Sequence, residues 1–269
     1  MCFSFWYSIS NLLRKIISLI WIEVEYIYKV GMRYMCKKYI STVEEVKKKV
    51  PHELNSRGFI EYKFCKNDQI YYIGFNSVDD SMTIEALLRN LCNNKSFYFD
   101  KDKTINRVFL CNSPSNDLYN FIEKEWTEKI YPYGHNDFVH RGHYIAKEFK
   151  KYLIPKDKLN GSDVKISKFF GRGNVLNVYP QSAESNCSYE MTGQSYFERK
   201  VREFLDEKDA HEHSVFYEVE NILAGEKSLG RRIKALFFDN KIQRKDINFH
   251  VFIPNVGGNK EIKEPESEA

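Results

Sequence analysis

Asn174-Val175-Leu176-Asn177-Val178-Tyr179-Pro180-Gln181, with Asn186 five residues beyond the glutamine, is the stretch on which the reading of this chain turns. It reads as a strand that delivers asparagine side chains to a turn. Upstream stands Arg141-Gly142-His143, followed by Tyr144-Ile145-Ala146. Downstream, Gly193-Gln194-Ser195-Tyr196-Phe197-Glu198 opens a helix that runs to about Asp206. Further on, residues 229–239 read as a strand that pairs with residues 214–222 and then with 246–253. The class expected is therefore α+β on an antiparallel sheet.

Composition is compatible with this. At 269 residues, with 42% hydrophobic and 29% charged residues, the chain is long enough for one large domain or two small ones with real cores. Aromatics reach 15% against 7 prolines, which favours strands and argues against wholesale disorder. The formal charge of +4, from 41 basic and 37 acidic residues, permits a nucleic-acid partner without requiring one. Cys2, Cys36, Cys65, Cys92, Cys111 and Cys187 form no C-x-x-C pair, so reduced and mostly buried thiols are expected; the even count leaves disulfides open.

In the first forty residues, Ile9, Leu13, Ile16, Ile20, Val24 and Ile27 recur at helical spacing with Arg14, Lys15, Glu23 and Glu25 between them, an amphipathic helix. It packs on its own domain, or it touches a membrane surface or a partner. No positive charge precedes the apolar stretch and no small-residue cleavage site follows, so a signal peptide is not expected; no uncharged run is long enough for a membrane span. The location is left open between the cytoplasm and export by a non-standard route. Residues 42–126 read as mixed α/β. A helix over 41–50 stops at Pro51. A hairpin turns at Lys66-Asn67-Asp68, a helix spans 83–91, a strand 108–111, and a helix 117–129.

Metal-assisted hydrolysis of a phosphodiester needs a base to deprotonate water, a cation at the scissile phosphate and further positive charge. Arg141-Gly142-His143, Asn177-x-x-Pro180-Gln181, Asn186 and Glu198 supply these residue types in order. Together they resemble the DNA/RNA non-specific endonuclease family of ββα-metal (His-Me finger) type, across about residues 138–255, with some likeness to its bacterial toxin-like branch. The resemblance implies a ββα-metal nuclease core that cuts DNA and probably RNA through backbone contacts. It implies His143 as general base, Arg141 as phosphate ligand, and Asn186 as the direct ligand of Mg2+, possibly Mn2+. Glu198 would hold a metal-bound water, and Asn177 would orient the phosphate or the histidine. His140 departs from the pattern, standing where the family has an acidic residue. An inhibitory partner protein would accompany a toxin role. The alternative is a catalytically inactive, nucleic-acid-binding or membrane-associated relative.

The organisation expected is an N-terminal amphipathic helix (1–40), a small α/β region (41–125), the endonuclease domain (126–255) and a disordered polar tail (256–269). Residues 152–170, with Lys156, Lys158 and Lys165, read as an inserted loop. Arg231, Arg232 and Lys234 either line a phosphate path or face solvent on the sheet. His211-Glu212-His213 reads as a solvated turn, Gly225-Glu226-Lys227-Ser228 as a hairpin turn, and Cys187 as a packing residue.

Overall fold

Lys227–Asp239 shows how the sheet is built: Ile233, Ala235 and Phe237 alternate with Arg232, Lys234, Leu236 and Phe238, so successive side chains enter opposite faces. The computed structural model describes Lys48, the backbone of residues 61–65 and 69–73, and residues 96–100, 105–129, 139–159, 164–171, 173–187, 193–208, 210–225 and 227–256. The helices expected over 1–40 and 83–91, and the tail beyond 256, lie outside these residues, as does the 41–50 helix apart from Lys48.

The strands are β1 (Glu61–Cys65), β2 (Gln69–Ile73), β3 (Phe97–Phe99), β4 (Ile105–Cys111), β5 (Val139–His143), β6 (Val178–Ser182), β7 (Ser214–Ala224), β8 (Lys227–Asp239), β9 (Ile242–Gln243) and β10 (Phe249–Pro254). Helices are α1 (Asp117–Lys124), α2 (Lys156–Leu159), α3 (Val164–Phe169), α4 (Ala183–Cys187) and α5 (Gln194–Leu205), with 3-10 turns at Lys147–Tyr152 and Ala210–Glu212. The main sheet runs β1-β2-β10-β8-β7-β4-β3, with β9 on β8, and every pairing is antiparallel. β5 and β6 form a separate two-stranded sheet. The architecture is α+β. β4 pairs with β7 along its whole length, and β2 pairs with β10, so residues on both sides of position 125 share one sheet. The 65–69 hairpin and the β7-β8-β10 meander follow the sequence reading.

One face of this sheet carries Val108, Leu110, Val215, Tyr217, Val219, Ile233, Ala235, Phe237, Val251 and Ile253 into the core against α1, α3, α5 and the 3-10 turn. Each buried aliphatic or phenyl side chain there contributes ~1.5–3 kcal/mol relative to exposure. The opposite face holds a smaller cluster of Phe109, Phe216, Leu236 and Phe238. It also holds a charge network: Glu218 is hydrogen-bonded to both Arg107 and Arg232, Arg232 Nε donates to Glu220 Oε2 at 2.6 Å, and Arg232 Nη1 lies 3.0 Å from His250 Nε2. Burial would raise the Glu218 carboxyl, but Arg232, Lys234 and Arg107 outweigh it and hold it at about 2.

Several expectations are corrected. Arg231 and Arg232 are buried, so they neither face solvent nor line an open phosphate path; adjacent on one strand, they enter opposite faces, Arg231 with the main core and Arg232 with the ion network. Within 152–170 the described residues include the short helices α2 and α3, and α3 packs Ile166 and Phe169 into the core with Phe170 just after it, so this part is not an irregular loop. His213 is buried, its ring stacked on Phe204 at 4.1 Å, so the 211–213 turn is solvated only in part. Cys187 is exposed rather than packed, and Cys111 is half-buried. The helix expected over 117–129 ends at Lys124. Among the described residues, no helix is long and apolar enough to cross a membrane.

Candidate active site

The two-stranded β5-β6 sheet and α5 form a ββα arrangement docked on the core face of the main sheet. Register places His143 opposite Val178, Arg141 opposite Pro180, and His140 opposite Gln181. A glycine is required between them: a Cβ on Gly142 would sit 2.1 Å from Gln181 Oε1 and 2.8 Å from Gln181 Cβ. The chain leaving His143 is then fixed by Asn177. Its Oδ1 accepts from Ile145 N at 2.8 Å, its Nδ2 donates to Ile145 O at 2.9 Å, and its carbonyl accepts from Tyr144 N at 2.8 Å. Asn174 braces the approach to β6 by donating to Phe169 O at 2.8 Å and accepting from Leu176 N at 3.0 Å.

In α5 the apolar row Phe197, Val201, Phe204 and Leu205 is buried. Next to it, Gln194, Glu198 and Arg202 recur every fourth residue and so share one stripe of the helix. Gln194 ties this stripe to β5: its Nε2 donates to His143 O and to Glu198 Oε1, both at 2.7 Å. Its Oε1 accepts from Arg231 Nη1 at 2.5 Å. Arg231 also donates to His143 O at 2.5 Å and Gly142 O at 2.9 Å, and its guanidinium lies 4.7 Å from the centre of the Tyr144 ring. One buried cation thus joins β8, β5 and α5.

Above this scaffold opens a cleft of about 780 Å³ bordered by His140, Arg141, His143, Asn186, Glu198 and Arg202, among others. The His143 imidazole is kept neutral: burial lowers its pKa, the Arg231 charge lowers it further, and together they outweigh the Phe170 and Gly171 backbone hydrogen bonds and Glu148, giving about 4. His143 Nε2 has no hydrogen-bond partner among the described residues. Burial raises the Glu198 carboxyl to about 7, opposed by the Gln194 hydrogen bond, with Glu148 adding to the rise and Arg231 and Arg202 opposing it. Asn186 Nδ2 lies 3.1 Å from His140 Nδ1 and 3.3 Å from Cys187 Sγ, which turns its amide oxygen away from both.

The described residues contain no cluster of three or more His, Cys, Asp or Glu side chains suited to a metal. A cation bound to the amide oxygen of Asn186, with Glu198 across the same cleft, would keep most of its ligands as water. That donor set fits magnesium, which takes oxygen ligands and sheds water reluctantly.

No protein-family model matches this sequence, and no curated protein does. Among solved structures, the chain is similar to NucA from Streptococcus agalactiae with magnesium ion bound, at 19% identity over 78% of this chain and 89% of that one, with a TM-score of 0.44. It is also similar to an extracellular endonuclease at 11% identity over 69% and 88% of the two chains, TM-score 0.37. A third likeness is to Sda1 nuclease with bound zinc ion, at 12% identity over 61% and 75%, TM-score 0.34.

His143, Arg141, Asn186 and Glu198, singled out in the sequence, border one cleft. Asn177 does not: both ends of its amide are bonded to the Ile145 backbone. Sequence reading gave Gln194 and Arg231 no part in holding the site. Their signals were present, Gln194 four residues before Glu198 on the same helix, and Arg231 in phase with Ile233, Ala235 and Phe237 on a strand whose core face those residues mark.

Proposed function

We propose that this chain is a metal-dependent endonuclease that hydrolyses phosphodiester bonds of DNA and RNA without base specificity. The observation that carries the reading is the neutral His143 imidazole, with Nε2 unpartnered among the described residues, in one cleft with Arg141, Asn186 and Glu198. A histidine already deprotonated at neutral pH accepts a proton from water without first losing one. Asn186 would hold magnesium, or manganese, through its amide oxygen, and Glu198 would do so through intervening water. Held there, such an ion would supply positive charge for the scissile phosphate and the leaving 3′ oxygen.

The chain's own residues then divide the work. Arg141 binds the phosphate, and His143 Nε2 takes the proton of the attacking water, leaving a 5′-phosphate product. Arg231 and Gln194 hold the His143 backbone, and Asn177 fixes the next peptide, so the ring meets the cleft at one angle. These contacts support a positioning role for Asn177 in preference to a phosphate ligand. An inhibitory partner and a membrane contact through residues 1–40 rest on the sequence alone.

The test is metal-dependent degradation. Chelator-stripped protein should leave supercoiled plasmid and single-stranded RNA intact, and millimolar magnesium should restore cleavage of both, with 5′-phosphate ends. Tight, salt-sensitive DNA binding without cleavage in any divalent ion would instead make the chain an inactive nucleic-acid-binding relative.

A further inference from the structure

Bordering the cleft, an imidazole and a thiol, groups magnesium does not need, meet the amide of Asn186. His140 Nδ1 and Cys187 Sγ are 3.6 Å apart, and the terminal amide of Asn186 lies 3.1 Å from the first and 3.3 Å from the second. A tetrahedral zinc ion with bonds of about 2.0–2.2 Å to nitrogen and oxygen and about 2.3 Å to sulfur spaces its ligand atoms roughly 3.4–3.6 Å apart. The observed triangle is therefore nearly one face of such a tetrahedron, and small side-chain adjustments complete it. Cys187 is exposed and all three residues border the cleft, which gives an ion a way in.

We propose that His140, Cys187 and Asn186 form a transition-metal site selective for zinc-like ions over magnesium. Thiolate and imidazole are borderline-to-soft ligands that hard cations do not favour. Binding releases the thiol proton of Cys187, fixes His140 with Nδ1 as the metal-bearing nitrogen, and rotates the Asn186 amide so that its oxygen replaces its nitrogen in the triangle. His140 would then be a ligand, with a task of its own. Because Asn186 serves both ions in opposite amide orientations, zinc would exclude magnesium from the cleft; that corollary alone rests on the nuclease reading.

The experiment uses the reduced, chelator-stripped full chain without nucleic acid, titrated with Co2+ and followed by absorbance. One equivalent should develop a thiolate-to-cobalt charge-transfer band with tetrahedral ligand-field bands, and one equivalent of Zn2+ should bleach both while millimolar Mg2+ does not. Cys187→Ser should abolish the charge-transfer band, and His140→Ala should weaken zinc binding by calorimetry at least about tenfold. Circular dichroism checks that both variants fold. Absence of the band in the parent overturns the proposal, as does its persistence in Cys187→Ser or equal zinc affinity in both variants and the parent. His143→Ala should lose plasmid cleavage yet keep the cobalt spectrum, so a parent that shows the band but cuts nothing defeats the nuclease reading and leaves the metal site standing.

Discussion

Replacing Arg231 by Met removes the cation that holds β5, α5 and β8 together while keeping most of the side-chain volume. Arg231 is 1% exposed and donates to His143 O, Gln194 Oε1 and Gly142 O at 2.5, 2.5 and 2.9 Å. His143 O keeps its bond from Gln194 Nε2 and Gln194 Oε1 keeps only a long one from Gln181 Nε2 at 3.4 Å, so the losses fall mainly on Gln194 Oε1 and Gly142 O, with Tyr179 O losing a weak contact at 3.5 Å. A buried acceptor left without its donor costs about 1–3 kcal/mol, and relief from burying the charge offsets part of two such losses, so a destabilisation of about 3 kcal/mol is expected. Urea unfolding measures this as a lower midpoint at unchanged slope. A second readout separates structure from electrostatics. Arg231 helps hold the His143 pKa at about 4, so the NMR titration of the His143 ring should move upward in Arg231→Met. The neutral form exists above the pKa, so the acid limb of any His143-dependent activity should move to higher pH in the same variant. Arg231→Lys, which keeps charge but not the planar fork, should lose stability with a smaller shift of that limb. A loss below about 1 kcal/mol in Arg231→Met, together with an unmoved His143 titration, would refute the reasoning.

The remaining predictions concern the scaffold and the carboxylate. Gly142→Ala forces a Cβ against the buried Gln181, whose Nε2 is held by Ser185 Oγ at 3.0 Å, and should cost about 1–3 kcal/mol in chemical denaturation. Asn177→Leu orphans the Ile145 N–H and C=O and should cost about 2–4 kcal/mol, read as a lower melting temperature. Glu198 has a folded-state pKa of about 7 against an ordinary value of about 4.3, so the folded state holds the extra proton between those values, and stability falls as pH rises through that window. Glu198→Gln in chelator should therefore be more stable than the parent at pH 8 by about 1–3 kcal/mol, with little difference at pH 4, while magnesium-dependent cleavage drops.

The sequence disclosed the meander β7-β8-β10 because alternation and turn chemistry are local: Gly225 supplies the positive φ of 64° that the β7-β8 turn uses. His143, Arg141, Asn186 and Glu198 could be singled out together because their spacing is set locally, within β5, around the β6-α4 turn and on α5, and the fold brings them to one cleft. The sequence did not disclose that β4 belongs to the same sheet as β7, since that pairing joins residues more than a hundred positions apart. Nor did it show that both faces of the central strands are buried, which turned Arg232 from an expected surface residue into the partner of Glu218 and Glu220. Asn177 shows the limit most plainly: its place in the motif is legible, but only the fold shows its amide spent on Ile145.

The proton-accepting role of His143 is central to the proposed reaction. The most direct test is the rate of supercoiled-plasmid nicking by the parent and by His143→Ala, at pH 7 in magnesium, with both proteins shown to be folded and equally able to bind DNA. Nicking by the parent and its loss by at least about a hundredfold in His143→Ala is the predicted result. Equal nicking by the two proteins would contradict it.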